Sequence, residues 1–182
     1  MMLRSLTDRD SKYPVYMDLN FSVTVKRLMN IICELESIGA KIMGISCDQC
    51  GGNQGLFSKL GVTKDKPYFT NPFDLLRLIH CFFDWLHLLK NLRSNILDHA
   101  LISPDGIHIC KEDLEDLLPF ITAEISPGFR LTRKHLEVKS SDRQDVGSAL
   151  AVMNYVNAAL FQKYFPVDPN KLAFANLLDF VA

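Results

Sequence analysis

The segment that most restricts the fold runs from Ile42 to Gly61. An apolar run, Ile42-Met-Gly-Ile-Ser-Cys47, stops on a carboxylate, Asp48, and passes through the small-residue stretch Cys50-Gly-Gly-Asn53. It then enters a short helical pattern closed by Gly61. A short, non-alternating apolar run suits a strand covered on both faces. Strand, loop and helix together form the repeating unit of an α/β sheet, which places its ligands beyond the carboxyl ends of the strands. Asp48 is therefore the first candidate functional residue.

The rest of the chain supports an α/β half followed by a helical half. Tyr13 to Asp18 reads as a strand, with Pro14 near its start where proline is tolerated. Ser22 is the expected N-cap of a helix reaching Ile38, with Val25, Leu28, Met29, Ile32 and Leu35 on one face and Gly39 at its end. Lys41 to Cys47 is the next strand, and Asn53 to Leu60 the helix after it. A two-proline loop over 62–72 leads to a second buried strand, Leu78 to Phe83, which also ends on an aspartate, Asp84. Trp85 to Leu97 then reads as a helix, with Leu86, Leu89, Leu92 and Ile96 apolar and Lys90 and Arg93 together on its polar side.

Beyond residue 100, Pro104-Asp-Gly106 marks a hairpin turn. Helices are expected from Lys111 to Ile121, within 130–138, and as one long element from Asp142 to Tyr164 with a Ser141/Gln144 capping box. Asn170 is the expected cap of a last helix, Lys171 to Ala182, whose pattern continues without cap or glycine to the last residue. That open pattern suggests a truncated segment.

Composition limits the function classes. With 182 residues the chain can bury ~70% of its unfolded surface. It is 48% hydrophobic and 23% charged, as an ordinary globular protein is. Its net charge of −1 supplies no global field for nucleic acid or membrane, so a nucleic-acid contact needs a local basic surface. No apolar run reaches the ~18 residues of a membrane span, and the first residues lack a signal-peptide core. Five cysteines, mostly in apolar segments, fit free thiols in a reducing compartment better than a disulfide scaffold. The Asn20-Phe-Ser22 sequon is idle without a secretory signal.

Each candidate chemistry has a plainer counterpart. Asp48 and Asp84 could pair at one sheet edge around Mg²⁺, or each could cap the helix or loop after its strand. Cys47-Asp-Gln-Cys50 has redox or zinc spacing, with His108-Ile-Cys110 as the compact second pair for zinc. Gly51-Gly52 standing between Cys50 and the helix argues against a redox motif. His80 reads as a core histidine. His87 could orient the Asp84 carboxylate, touch phosphate, or pack. Arg77, Lys90 and Arg93 near Trp85 could meet a phosphate backbone, or form a solvated face. Gly51-Gly-Asn-Gln-Gly55 lacks the lysine and the spacing of a P-loop.

Four blocks in order change the weighting. Ser46-Cys-Asp48-Gln-Cys-Gly-Gly-Asn53-Gln-Gly-Leu-Phe-Ser-Lys-Leu-Gly61 is similar to the "D…N…G-L…L-G" segment of P-element-type DNA transposases, the THAP-domain transposase group. Tyr68-Phe-Thr-Asn-Pro72 resembles that family's "Y-F-x-[NH]-P" loop. Phe83-Asp84-Trp-Leu-His87-Leu-Leu-Lys90-Asn91-Leu-Arg93 resembles its "D-x-x-H-L-[LI]-K" helix. Arg130-Leu-Thr-Arg-Lys-His135-Leu-Glu-Val-Lys139 resembles a further segment.

The resemblance implies an RNase H-like core, in part, followed by the start of a mainly helical, GTP-binding insertion. The expected division is 1–100 for the partial core and 101–182 for the incomplete insertion. In the family, three acids hold two Mg²⁺ ions that activate water, then a DNA 3′-hydroxyl, for attack on phosphodiesters. Asp48 would be the second acid and a metal ligand. Asp84, His87, Lys90 and Arg93 would support the core or a DNA channel, and no GTP-contacting residue can be assigned. The resemblance also implies DNA as partner, a homo-oligomer in the full-length family and a nuclear location. The family's first Asp-Glu-Met strand, its third acid and its THAP zinc module have no counterpart here, so the chain alone is expected to be inactive. The alternative expectation is a domesticated, non-catalytic module that binds DNA or protein. Without its first strands the core exposes sheet edges and apolar faces, so marginal stability is also expected.

Overall fold

The computed structural model describes residues 1–8, 10–17, 23–122, 124–125, 130–139 and 142–182. Among these the chain forms two compact units, Met1–Asp84 and Trp85–Ala182.

The first unit is α/β. Strands β1 (Met2–Arg4) and β2 (Lys12–Pro14) pair antiparallel, with Leu3 opposite Tyr13. Pairing thus covers only the start of the expected strand, whose far end, Asp18, lies outside the described residues. Helix α1 spans Val25–Ser37. Its N-cap is Thr24, whose side chain accepts from the Arg27 N–H; the expected cap, Ser22, also lies outside the described residues. Strand β3 is Gly44–Cys47, shorter than the expected 41–47, and α2 is Gly51–Lys59. Gly61, at φ +71°, closes that helix as expected. Strands β4 (Tyr68–Thr70) and β5 (Leu78–Phe83) complete a three-stranded sheet of order β3-β5-β4. β3 runs parallel to β5, and β4 antiparallel to it.

Leu28, Ile32, Ile42, Leu56, Phe57, Phe69, Ile79 and Cys81 form this unit's core. β5 alternates, burying Ile79 and Cys81 while exposing Leu78, His80 and Phe82. The sequence run looked buried throughout because both faces of β5 are apolar, yet only one is covered within the unit. His80 is accordingly not a core histidine; it is exposed and meets the Tyr68 ring edge-on, 5.8 Å between centroids. Gly44 has a packing reason: a Cβ there would stand 3.1 Å from the Phe82 ring and 3.2 Å from the His80 carbonyl oxygen.

The second unit is mainly helical. Helix α3 (Trp85–His99) leads to a hairpin, β6 (Leu101–Ile102) and β7 (His108–Ile109), turned at Gly106 as expected. Helix α4 covers Lys111–Leu117 and tightens into a 3₁₀ turn over Leu118–Phe120. Helix α5 is Arg133–Leu136. The expected single helix over 142–164 is instead a 3₁₀ turn at Asp142–Gln144, then α6 (Val146–Val152) and α7 (Tyr155–Tyr164). Of the expected capping box, Ser141 lies outside the described residues. Helix α8 (Pro169–Val181) is capped by Asp168, which accepts from the N–H groups of Asn170 and Lys171, so Asn170 is not the cap. The core gathers Leu89, Ile96, Leu114, Leu117, Val152, Phe161, Phe174 and Leu178, among others. Among the described residues no helix is long and apolar enough to cross a membrane.

Candidate functional site

The parallel pairing of β3 with β5 decides where the two aspartates lie. Cys47 is in register with Phe83, so Asp48 and Asp84 come directly after neighbouring strands at the same, carboxyl, end of the sheet. The Asp84 N–H donates to the Cys47 carbonyl at 2.7 Å, extending the ladder to the last position. Both aspartates are half-buried. This is the crevice end of an α/β sheet.

The loop after β3 is organised by Asp48 itself. Its Oδ1 accepts from the Cys50 N–H at 3.1 Å and from Asn53 Nδ2 at 2.8 Å. Asn53 Nδ2 also reaches the Asp48 carbonyl at 3.3 Å. Asp48 thus performs the turn-stabilising role that short acidic side chains favour. The sequence pattern contained both residues but not their bond, because Asn53 lies in the first turn of α2, five residues after Asp48. Helix α2 begins at Gly51 with Cys50 in its N-cap position. The two glycines are therefore its first turn, not a spacer between Cys50 and the helix.

The basic residues proposed for a phosphate backbone have interior roles. Arg77 pairs with Glu36 and Asp74, and its Nη1 donates to the Ile42 carbonyl. Glu36, buried on α1, also accepts from the Ile42 N–H and from Asn71 Nδ2, both at 2.8 Å. Asn71 in turn accepts from the Phe73 and Asp74 N–H groups. The Arg77 guanidinium is the main reason the Glu36 carboxyl is held down at about 2. This network anchors the end of the Tyr68–Pro72 block through Asn71; its one sequence signal was that asparagine, and Glu36 carried none.

Lys90 and Arg93 are buried within the second unit rather than solvated. Lys90 Nζ donates to Gln144 Oε1 at 3.0 Å. Arg93 donates to the carbonyls of Asp142, Arg143 and Asp145, and its Nε makes no hydrogen bond among the described residues. Burial pushes its guanidinium below the ordinary range. Together they fasten the 142–145 segment to α3, with Arg143 and Asp98 paired beside them. His87 is half-buried on the same helix.

Among the described residues, no three His, Cys, Asp or Glu side chains gather into a metal-binding set. Asp48 and Asp84 at one sheet end do not by themselves fit a two-metal centre.

No protein-family model matches the chain. It is 28% identical over 155 residues to the transposable element P transposase of Drosophila melanogaster, which takes in 85% of this chain and 20% of that protein. The chain therefore spans about a fifth of that relative's length. Among solved structures it is similar to a chain of the Drosophila P element transposase strand transfer complex, with a TM-score of 0.87 and 26% identity. That match covers 99% of this chain and 41% of the other. The resemblance to P-element-type transposases thus holds in sequence and in fold. A mixed α/β unit followed by helices agrees with a partial RNase H-like core and a helical insertion.

Proposed function

We propose that this chain is a segment of a P-element-type DNA transposase, contributing late strands of an RNase H-like core and the first helices of the insertion. One observation carries the reading: the Asp48 block occupies the carboxyl end of a strand parallel to its neighbour, in a chain similar along nearly its whole length to a transposase from a strand transfer complex. In the assembled protein Asp48 is the second of three acids, and the remaining acids come from outside this sequence. A divalent ion, Mg²⁺ by family, would supply Lewis-acid activation of water or a 3′-hydroxyl there. This chain's own part is to fix the Asp48 carboxylate through Cys50 N–H and Asn53. The insertion would take GTP, DNA would be the substrate, and the location nuclear. Alone, the chain supplies one acid and should not cut DNA.

A chimera tests this. The 155 matching residues would replace their counterparts in the Drosophila transposase, and strand transfer would be measured on transposon-end DNA with Mg²⁺. The expected result is transfer by the chimera and none by its Asp48→Asn form, with end-binding retained in both. A chimera that transfers strands equally well with asparagine at 48 would sink the assignment. The second reading, a non-catalytic binding module, is favoured by the capping bonds that already give Asp48 a structural purpose. It predicts a folded chimera that binds ends but transfers none even with Asp48 intact.

A further inference from the structure

The Arg130–Lys139 block carries a family resemblance but no role in the chemistry proposed above. Its helix, α5, is a single turn, too short to persist without outside support. Leu131 before it and Leu136 at its end are both buried in the second core and tie the segment down. The first turn is closed by a capping box whose third helical residue is a histidine, where glutamate or glutamine is usual. The Thr132 N–H donates to His135 Nδ1 at 3.2 Å, and the His135 N–H donates to the Thr132 carbonyl at 2.9 Å. The first of these bonds exists only while Nδ1 is bare, in the neutral ring that carries its proton on Nε2.

We propose that His135 makes α5 an acid-released strap, in which protonation of Nδ1 turns the acceptor of the cap into a donor and frees residues 130–139 from the second core. The proton comes from solvent and stays on Nδ1, and no covalent bond changes. Release is independent of any chemistry at Asp48, which belongs to the other unit.

The surroundings offer the imidazolium little compensation. The Thr132 hydroxyl, 3.3 Å from Nδ1, can accept the new N–H, but the Thr132 backbone N–H then faces a donor. Lys134 on the same helix and Arg93 on α3 both repel the added charge, while Arg133 and Glu137 pair with each other. Arg93 is fully buried, and its Nε already lacks an acceptor among the described residues. Asp145 attracts the ring, yet it caps α6 by accepting from the Gly147 and Ser148 N–H groups, so turning it away would uncap that helix. On α4, also packed on α5, Lys111 is engaged with Glu115, Glu112 with Cys110, and Asp113 and Asp116 with Lys171. Burial first, then Lys134, hold the ring below the ordinary histidine value of 6.5. Folding therefore favours the neutral form: its stabilisation is complete above pH 6.5 and is lost as pH falls through the folded-state value.

The test combines nitrogen NMR of the histidine rings with hydrogen exchange of the whole chain, between about pH 8 and pH 5. His135 should be neutral with a bare Nδ1 at the upper end and should titrate below 6.5. Protection of 130–139, normalised for the intrinsic exchange rate at each pH, should fall roughly tenfold with the same midpoint, as loss of one cap requires. Helix α1 and strands β3 and β5 should keep theirs. His135→Gln supplies the usual capping-box acceptor, which does not titrate, and should stay protected across the range. His135→Ala should be weakly protected at every pH. PH-dependent release that persists in His135→Gln, a bare Nε2 in the unsubstituted chain at neutral pH, or unchanged protection of 130–139 would each overturn the assignment.

Discussion

Glu36 shows how one side chain can organise a block that looks like a binding motif. It lies in the last turn of α1, and its two oxygens hold the Ile42 N–H, Asn71 and Arg77, so it joins the helix, the entry to β3 and the loop before β5. A buried carboxylate needs such a set, because an unpaired charge there costs several kcal/mol. Glu36→Gln keeps the volume but aims an amide at Arg77. The expected loss is about 1.5–3 kcal/mol by urea unfolding. The pH sign comes from a carboxyl lowered from 4.5 to about 2 in the folded chain. Its stabilisation is complete above pH 4.5 and is lost as pH falls from 4.5 towards 2. Glu36→Gln should flatten the acid limb of the stability curve over that window; an unchanged limb would mean other carboxylates control it. Arg77 and Arg93 teach the same lesson in reverse, since both are cations that sequence reading assigns to solvent or phosphate. Whether an arginine faces water or carbonyl oxygens depends on segments 35–52 residues away, which local pattern does not contain.

At the scale of elements, apolar periodicity located β3, β5 and most helices but not their ends, and it missed β1 and also β4, which lies inside the stretch 62–72 expected to be a loop. The clearest miss is the break between α6 and α7. Asn154 accepts from the Asn157 N–H and donates to the carbonyls of Leu150 and Ala151, while Asn157 donates to those of Ala151 and Val152. Two buried amides therefore terminate one helix and start the next, with Met153 still in the core. The helical periodicity runs through the break, so the asparagines were the only signal. Asn154→Ala removes the cap and leaves carbonyls without donors, and should cost about 2 kcal/mol. Asn154→Asp keeps the cap acceptor and should recover part of that loss in the same urea titration. Equal stability of all three would remove the proposed role. A comparable near-miss occurs at α2, where glycines that read as loop are helical because Cys50 starts the helix before them.

On the scale of the whole molecule, each unit has its own core, and among the described residues none belongs to both. Helix α3, which the expected division at residue 100 placed with the catalytic core, packs against α4 and α6 of the second unit. Ile79→Ala and Leu114→Ala remove fully buried side chains from the first and second cores, at an expected cost of about 2–5 kcal/mol each. Hydrogen exchange should show Ile79→Ala lowering protection in α1, β3 and β5 while α4, α7 and α8 keep theirs, with Leu114→Ala doing the opposite. Protection lost equally in both units would refute separate cores. On β5 the first unit also leaves Leu78 and Phe82 exposed, in line with a sheet face that is covered on one side only within the unit.

Sequence by itself determined the α/β-then-helical order, the strand ends at Asp48 and Asp84, the hairpin at Gly106 and the four blocks that carry the transposase resemblance. Those features are local: each depends on residue type and spacing within about one element. Tertiary structure alone decided that β3 and β5 are parallel neighbours with both aspartates at one end. It also decided that Asn53 holds Asp48, that Arg77, Lys90 and Arg93 face inward, and that His80 faces outward. Strand pairing and side-chain partnership join residues tens of positions apart, and one-dimensional periodicity cannot say which apolar face is covered or which polar group a buried charge will meet.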